Sequence, residues 1–314
     1  MFLLIIISDD SLLPPQSAYV PVGGAECGLQ ALAQLNYPRD RFEVIVVDDG
    51  SQVPLDSVVA TFQSEIELVL LRQANAGPAT ARNWGAQGAK GEFLAFTDDD
   101  CKPAPNWLRV LAARCGEAPG GMIGGHTVNA LPDNLYATAS QILIDYIYRY
   151  YNANPARAYF LTSNNIAVPA ERFRAIGGFD TSFPLAAAED REFCDRWLRC
   201  GYPMIYAPEA KVDHAHHLTL STFWRQHFGY GRGAFSFHKV RSRSLRLEPS
   251  PSVIQQIKVE PLSFYFNLLT YPFVQTSSQS PLLLTVLLFL SQLANTVGFF
   301  LEANQAASAK VSNG

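Results

Sequence analysis

The chain has 314 residues, room for one large α/β domain with an appendage or for two modest domains. Hydrophobic residues make up 48% and charged residues 17%, below the roughly one quarter charged in ordinary soluble domains, so part of its apolar surface is expected to face something other than water, a membrane being the first candidate. The formal net charge of −4 argues against a general nucleic-acid binder, which displays an excess of Lys and Arg.

Five cysteines, Cys27, Cys101, Cys115, Cys194 and Cys200, are odd in number and form no C-x-x-C pair, so they read as reduced thiols in core positions. Residues 2–7 form an apolar run that stops at Ser8-Asp9-Asp10 without a basic leader, which predicts a buried first strand rather than a signal peptide. Residues 11–25 hold Pro14, Pro15, Pro21 and Gly23-Gly24 and predict a loop. The spacing of Leu29, Leu32, Ala33 and Leu35 predicts a helix over 26–35, closed by Pro38. A β-branched run over 42–47 then ends in Asp48-Asp49-Gly50-Ser51, the pattern of a buried parallel strand that delivers polar residues to the edge where α/β folds bind ligands. A helix through residue 63, a strand over 66–71, a helix over 79–89 and a strand over 93–96 continue the alternation and imply a doubly wound sheet. The second half predicts a Gly-rich strand over 120–128, an aromatic helix over 142–151 and a helix over 189–200. Beyond residue 238 come the basic cluster Lys239, Arg241, Arg243 and Arg246 and two apolar segments, 262–274 and 282–301. The pattern therefore predicts an α/β domain over 1–238, followed by a basic linker and an apolar membrane-associated region over 239–314.

Thr97-Asp98-Asp99-Asp100 follows the strand over 93–96 directly. Alternate side chains of an extended backbone share a face, so Asp98 and Asp100 can reach one Mg²⁺ or Mn²⁺ that also bridges a diphosphate. A solvated acidic turn is the competing reading. The Asp48-Asp49 turn belongs to the same sheet edge, and a carboxylate there can accept hydrogen bonds from a base N–H or from ribose hydroxyls. Between the two acidic turns, residues 75–83 enter a helix whose free N–H groups and Arg82 can hold phosphate or base oxygens.

Five blocks carry a resemblance: VVDDGS (46–51), NAGPATARNWG (75–85), FTDDDCKPAPNWL (96–108), TSNNIAVPAERFRAIGGFD (162–180) and EDREFCDRWLRCGY (189–202). In this order they resemble the family-2 inverting glycosyltransferases of the GT-A fold, an α/β, Rossmann-like, doubly wound mixed sheet, over about residues 29–232. The resemblance implies that Asp49 contacts the nucleotide base, with Asp48 in the same nucleotide-binding turn, and that Arg82 meets the base or the diphosphate. It implies that Asp98 meets the ribose or the metal and that Asp100 is the principal metal ligand. Asp190 matches the family's catalytic base, which takes a proton from the attacking acceptor hydroxyl; a helix N-terminal carboxylate favoured by the macrodipole is the alternative. Asn164-Asn165 and Gly177-Gly178-Phe179-Asp180 look like the acceptor-side or donor-sugar wall. His214, within Val212-Asp213-His214-Ala215-His216-His217, resembles a histidine that completes the metal shell. Zinc is disfavoured there, because H-x-x-x-H spacing and a Cys pair are both missing. Gln226 to Gly233 resembles the family's post-catalytic Gln and Arg motif, in which Arg232 binds pyrophosphate; a positive residue at a helix end near the membrane is the alternative. The chain departs from the family at its start, where Ser17-Ala18-Tyr19-Val20 is separated from the first strand by a Pro-rich insertion. A changed first strand would weaken base binding.

Residues 282–301 lack a formal charge and are long enough to cross roughly 30 Å of hydrocarbon, though Thr285, Ser291, Gln292, Asn295 and Thr296 make a surface-lying helix the competitor. The basic cluster favours the cytoplasmic side for the catalytic domain. The expected partners are a nucleotide-diphosphate sugar donor, a lipid-linked or glycan acceptor and a membrane surface, with no nucleic acid. A noncatalytic nucleotide-sugar-binding or scaffold protein of the same fold is the alternative. A nucleotidyltransferase is disfavoured by the lack of a Gly-rich phosphate loop near the N-terminus.

Overall fold

The β-branched runs become the centre of a mixed sheet. The computed structural model describes residues 2–8, 23–183, 187–244, 260–275 and 279–312. Strands β1 (Phe2–Ser8), β2 (Phe42–Asp48), β3 (Leu68–Arg72) and β4 (Phe93–Asp98) are parallel neighbours. They are joined by β5 (Cys101–Pro103), β6 (Met122–Asn129), β7 (Ile166–Pro169) and β8 (Met204–His214) into one sheet of order β3-β2-β1-β4-β7-β6-β8-β5. β7 runs antiparallel to β4 and β6, and β5 antiparallel to β8. Ser8 pairs with Asp48 and Ile7 with Asp98, so the two acidic turns leave one edge of the sheet on either side of β1.

Alternation along β2 separates two cores. Val44 and Val46 face α1 (Gly23–Ala33), α2 (Asp56–Phe62) and α4 (Trp107–Glu117), whereas Ile45 and Val47 face α3 (Pro78–Gln87), with α6 (Ala170–Ala175) and α7 (Glu189–Arg199) in the same layer. Helix α5 (Leu135–Tyr151) begins ahead of the expected 142–151, because the Asn134 side chain accepts from the Tyr136 and Ala137 amides and caps it. A third core joins α5 to α8 (Leu220–Ser244), α9 (Leu262–Thr270) and α10 (Pro281–Ser312) through Ile142, Tyr146, Phe223, Phe264, Leu268 and Leu288.

Three features differ from the sequence reading. Gly23-Gly24, assigned to a loop, opens α1. Helix α4 carries no earlier assignment. Helix α8 runs without a break across the boundary drawn after residue 238, so Lys239, Arg241 and Arg243 ride on its last turns. Gly229, Gly231 and Gly233 punctuate its pattern and hide the helix in sequence. Arg246 and Ser17-Ala18-Tyr19-Val20 lie outside the described residues.

Candidate active site

The Asp48-Asp49 turn is tied to the chain before it meets any ligand. Asp48 Oδ1 accepts from the Ser51 amide at 2.8 Å and Oδ2 from Arg72 Nε at 2.9 Å. Asp49 is fully buried; its Oδ1 accepts from Gln73 Nε2 at 2.6 Å and from the Ala76 amide at 2.8 Å, and its Oδ2 from the Gly77 amide at 2.8 Å. Both carboxylates thus fix the loop that leads into α3. The base contact drawn from resemblance meets an Asp49 whose two oxygens both hold backbone or side-chain donors.

Asp98 ends β4, and Asp99 and Asp100 form a turn into β5. The backbone is not extended across the D-x-D, so the two carboxylates part. Asp98 Oδ1 accepts from Arg82 Nη2 at 3.0 Å, and Arg82 Nη1 donates to Glu189 Oε1 at 3.1 Å. Arg82 is buried at 3% exposure, stacks over the Phe179 ring at 5.4 Å, and leaves its Nε without a hydrogen-bond partner. Burial opposes the guanidinium charge, but Asp98 and Glu189 together raise its pKa above the usual value. Arg82 therefore bridges the end of β4 to the first turn of α7.

Asp100 goes the other way. Cys101 pairs with His214 in the β5–β8 ladder, and the Ala215 amide donates to the Asp100 carbonyl at 2.9 Å, which places the Asp100 carboxylate beside the imidazole. Asp100 Oδ2 and His214 Nε2 lie 3.0 Å apart. Burial raises the Asp100 pKa, yet His214 more than reverses this and brings it to about 2. Asp100, Cys101 and His214 place one potential ligand atom each within 4.8 Å of one another. Desolvation keeps the Cys101 thiol well above its usual pKa, so it offers no thiolate. What remains is a half-exposed carboxylate oxygen and an imidazole nitrogen. That set suits Mg²⁺ or Mn²⁺ completed by ligand oxygens and does not suit the sulfur-rich shell of a structural zinc. Asp98, expected in this shell, is held by Arg82.

Asp190 sits in the first turn of α7, two residues after Ala188, whose φ of +73° is left-handed for a residue with a Cβ. Desolvation, then the neighbouring Glu189, pushes the Asp190 pKa up to about 7, although Oδ1 accepts from the Arg191 amide at 2.7 Å. A carboxylate poised there is matched to general-base work near neutrality. Glu189 is itself raised by burial and only partly rescued by Arg82.

Not every candidate arrives at this edge. Arg232 Nε pairs with Glu302 Oε2 of α10 at 2.6 Å. Asn165 is a buried strut, accepting from Trp107 Nε1 at 2.8 Å and donating to the Ala210 carbonyl at 3.0 Å. Asn164 stays near the cluster, its Nδ2 3.8 Å from Cys101 Sγ. The Gly178-Phe179 turn is clamped by Asn83, which accepts from the Phe179 amide and donates to its carbonyl, each at 2.8 Å. Sequence reasoning missed Tyr230. Its phenol accepts from Gln226 Nε2 at 2.8 Å, and burial, then the Asp190 charge, raises its pKa. Gln226 Oε1 is buried without a donor. Reading 220–244 as one helix would have placed both residues one turn apart on a common face.

Comparison with known proteins bears on the family and the fold. The sequence profile "Glycosyl transferase family 2" matches residues 25–176. The chain is 24% identical over 242 residues to "Glycosyltransferase AglE" of Haloferax volcanii, covering 75% of this chain and 78% of that protein. It is 29% identical over 220 residues to "Pre-mycofactocin glycosyltransferase" of Mycobacterium tuberculosis, covering 68% of this chain and 46% of that one, so it spans about half the length of that relative. Among solved structures, mannosyltransferase PcManGT from Pyrobaculum calidifontis, in complex with GDP-Man and Mn²⁺, superposes with a TM-score of 0.59 at 19% identity, covering 98% of this chain and 80% of that one. S. aureus TarS 1-349 in complex with UDP gives a TM-score of 0.51 at 16% identity, covering 98% and 91%. These structural likenesses show a GT-A-like fold. That fold, the profile matched over residues 25–176 and the glycosyltransferase relatives together support a family-2 glycosyltransferase.

Proposed function

We propose that the protein transfers a sugar from a nucleotide-diphosphate donor to a hydroxyl of a lipid-linked or surface glycan acceptor, with inversion at the anomeric carbon, at the cytoplasmic face of a membrane. The observation that carries this reading is the Arg82 bridge. It joins Asp98, at the edge that also bears Asp100 and His214, to the α7 turn that bears Asp190. In this reading the sheet edge would hold the diphosphate and the α7 turn joined to it by Arg82 would carry the base.

In this reading Asp48 and Asp49 shape the nucleotide edge by holding the loop ahead of α3, while Asp98 and Arg82 face the ribose and diphosphate. The Arg82 Nε is buried without an acceptor in the protein, so an anion would have to enter beside it to take that bond. Asp100 and His214 would hold Mg²⁺ or Mn²⁺, and a cation there supplies electrostatic stabilisation of the charge that grows on the diphosphate leaving group. Solved neighbours crystallised with GDP-Man and Mn²⁺ or with UDP support a donor and ion of this kind. Asp190 accepts the proton from the acceptor hydroxyl as that oxygen attacks the face opposite the diphosphate, giving inversion in one displacement. Arg232, held by Glu302, retains a pyrophosphate role in this scheme only if that pair opens on donor binding.

The test is a thermal-shift and hydrolysis screen of the purified chain with UDP-, GDP- and dTDP-sugars, with and without Mn²⁺. One donor class should stabilise the protein in a cation-dependent manner. Failure of every donor to shift the melting temperature or to be hydrolysed would refute the proposal.

A further inference from the structure

We infer that α9, the turn after it and α10 form a monotopic face that lies in the plane of a bilayer surface, so that α10 embeds along one flank and does not cross. This deepens the membrane attachment proposed above. Helix α10 has two unlike sides. Leu284, Leu288 and Ala294 are each 0% exposed, packed on the catalytic domain. Farther along, a Cβ on Gly231 would lie 1.9 Å from the Asn295 carbonyl oxygen, and one on Gly298 would lie 2.1 Å from that of Phe228, so α8 and α10 cross with their backbones nearly touching. Phe235 meets Phe299 at 5.4 Å and Arg232 pairs with Glu302. The inward contacts run from Leu284 to Ala303, about 29 Å at 1.5 Å per residue, the thickness of a hydrocarbon core. A helix fastened to the domain along that whole length cannot cross without drawing α5 and α8, with Arg149, Arg225 and Arg232, into lipid.

The other side is apolar and open. Phe289, Leu293, Val297 and Phe300 are 56%, 43%, 44% and 52% exposed, spaced by about one turn, and α9 adds Leu262 at 88% and Phe266 at 67%. Residues 262–301 contain no Asp, Glu, Lys, Arg or His. An apolar surface of this extent marks an interaction site. Its lack of charge selects hydrocarbon over a protein partner, whose interface carries a polar, charged rim. Charge returns at the end of α8, in Lys239 and Arg243, complementary to anionic headgroups, while Arg241 pairs with Asp195 at 3.4 Å. Trp224, 37% exposed, lies on the helical stripe of Phe228, Gly231 and Phe235 that meets α10, a suitable place for an amphipathic ring at headgroup level. Such a face sinks about 5–10 Å into the interface.

Full-length protein mixed with phosphatidylcholine vesicles, with and without a quarter phosphatidylglycerol, should float with the lipid, more strongly with the anionic lipid. Phe289→Asp combined with Leu293→Asp should lower the bound fraction at least tenfold while melting temperature and donor binding stay unchanged. In a Cys27→Ser, Cys200→Ser background, which removes the thiols that are not buried, fluorophores on cysteines placed at Leu283, Phe289, Leu293 and Phe300 should all be quenched by a nitroxide near the headgroups and poorly by one at the bilayer centre. Deep quenching at Leu293 between shallow ends would establish a crossing helix and overturn the inference. A lipid-independent dimer that the double variant dissolves would assign the face to a second copy. Absence of flotation beside intact donor binding would remove the membrane and leave the sugar-transfer reading standing.

Discussion

In the proposed reaction Asp190 is the residue on which the chemistry turns. Asp190→Asn should lower transfer by about 10² to 10⁴ while donor affinity is kept, since the amide preserves size but cannot accept a proton. Parallel titration calorimetry and turnover assays check this, and loss of both together would point to a damaged pocket. Because burial and Glu189 hold the Asp190 pKa at about 7, the wild-type rate should fall as pH drops through that value and the base becomes protonated. The linkage has the opposite sign for stability. A carboxyl with a raised folded pKa favours the folded state while protonated and loses that contribution as pH rises towards 7. Asp190→Asn should therefore raise the melting temperature at pH 8 and change it little at pH 5. Arg82→Ala removes the bridge between two carboxylates and should cost about 3–5 kcal/mol, read by urea denaturation, because Glu189 is left buried and unpaired. These candidates were legible in the motifs. Their partners were not: the sequence places Asp98 and Asp100 two apart, but only the turn at Asp99 and the β5–β8 ladder send one to Arg82 and the other to His214.

Strands and helices of the first half were legible because buried β-branched runs and helical spacing alternate regularly up to β4. Helix α8 was not, since three glycines imitate a loop, and at Gly231 and Gly233 the reason is tertiary, because a Cβ there would strike the Asn295 and Ala187 carbonyl oxygens; the apolar segment 282–301 was legible and lies within α10. Gly298→Ala would place its Cβ 2.1 Å from the Phe228 carbonyl oxygen, forcing α10 away from α8 and costing about 1–3 kcal/mol in thermal or urea unfolding. The shared core also bears on how membrane attachment is tested. Truncation after Glu260 would strip Phe264, Leu268 and Leu288 from Ile142, Tyr146 and Phe223, so loss of flotation in that fragment would report unfolding. Substitutions on the exposed side avoid the difficulty.

For the whole molecule, the sequence suggested a catalytic unit on a basic linker, and a linker would let the active site wander in height above the lipid. Helix α8 replaces that picture. Its Tyr230 lies near Asp190, and the next residue, Gly231, is pressed against α10. With the proposed base and the proposed membrane face, the distance from base to bilayer would be set by the packed helices α8 and α10, and the protein would act as a depth gauge. Synthetic acceptors carrying one reactive hydroxyl on spacers of graded length above a lipid anchor should show a single sharp optimum in turnover. A flat profile would mean that the gauge is soft and that acceptor choice rests on the sugar alone.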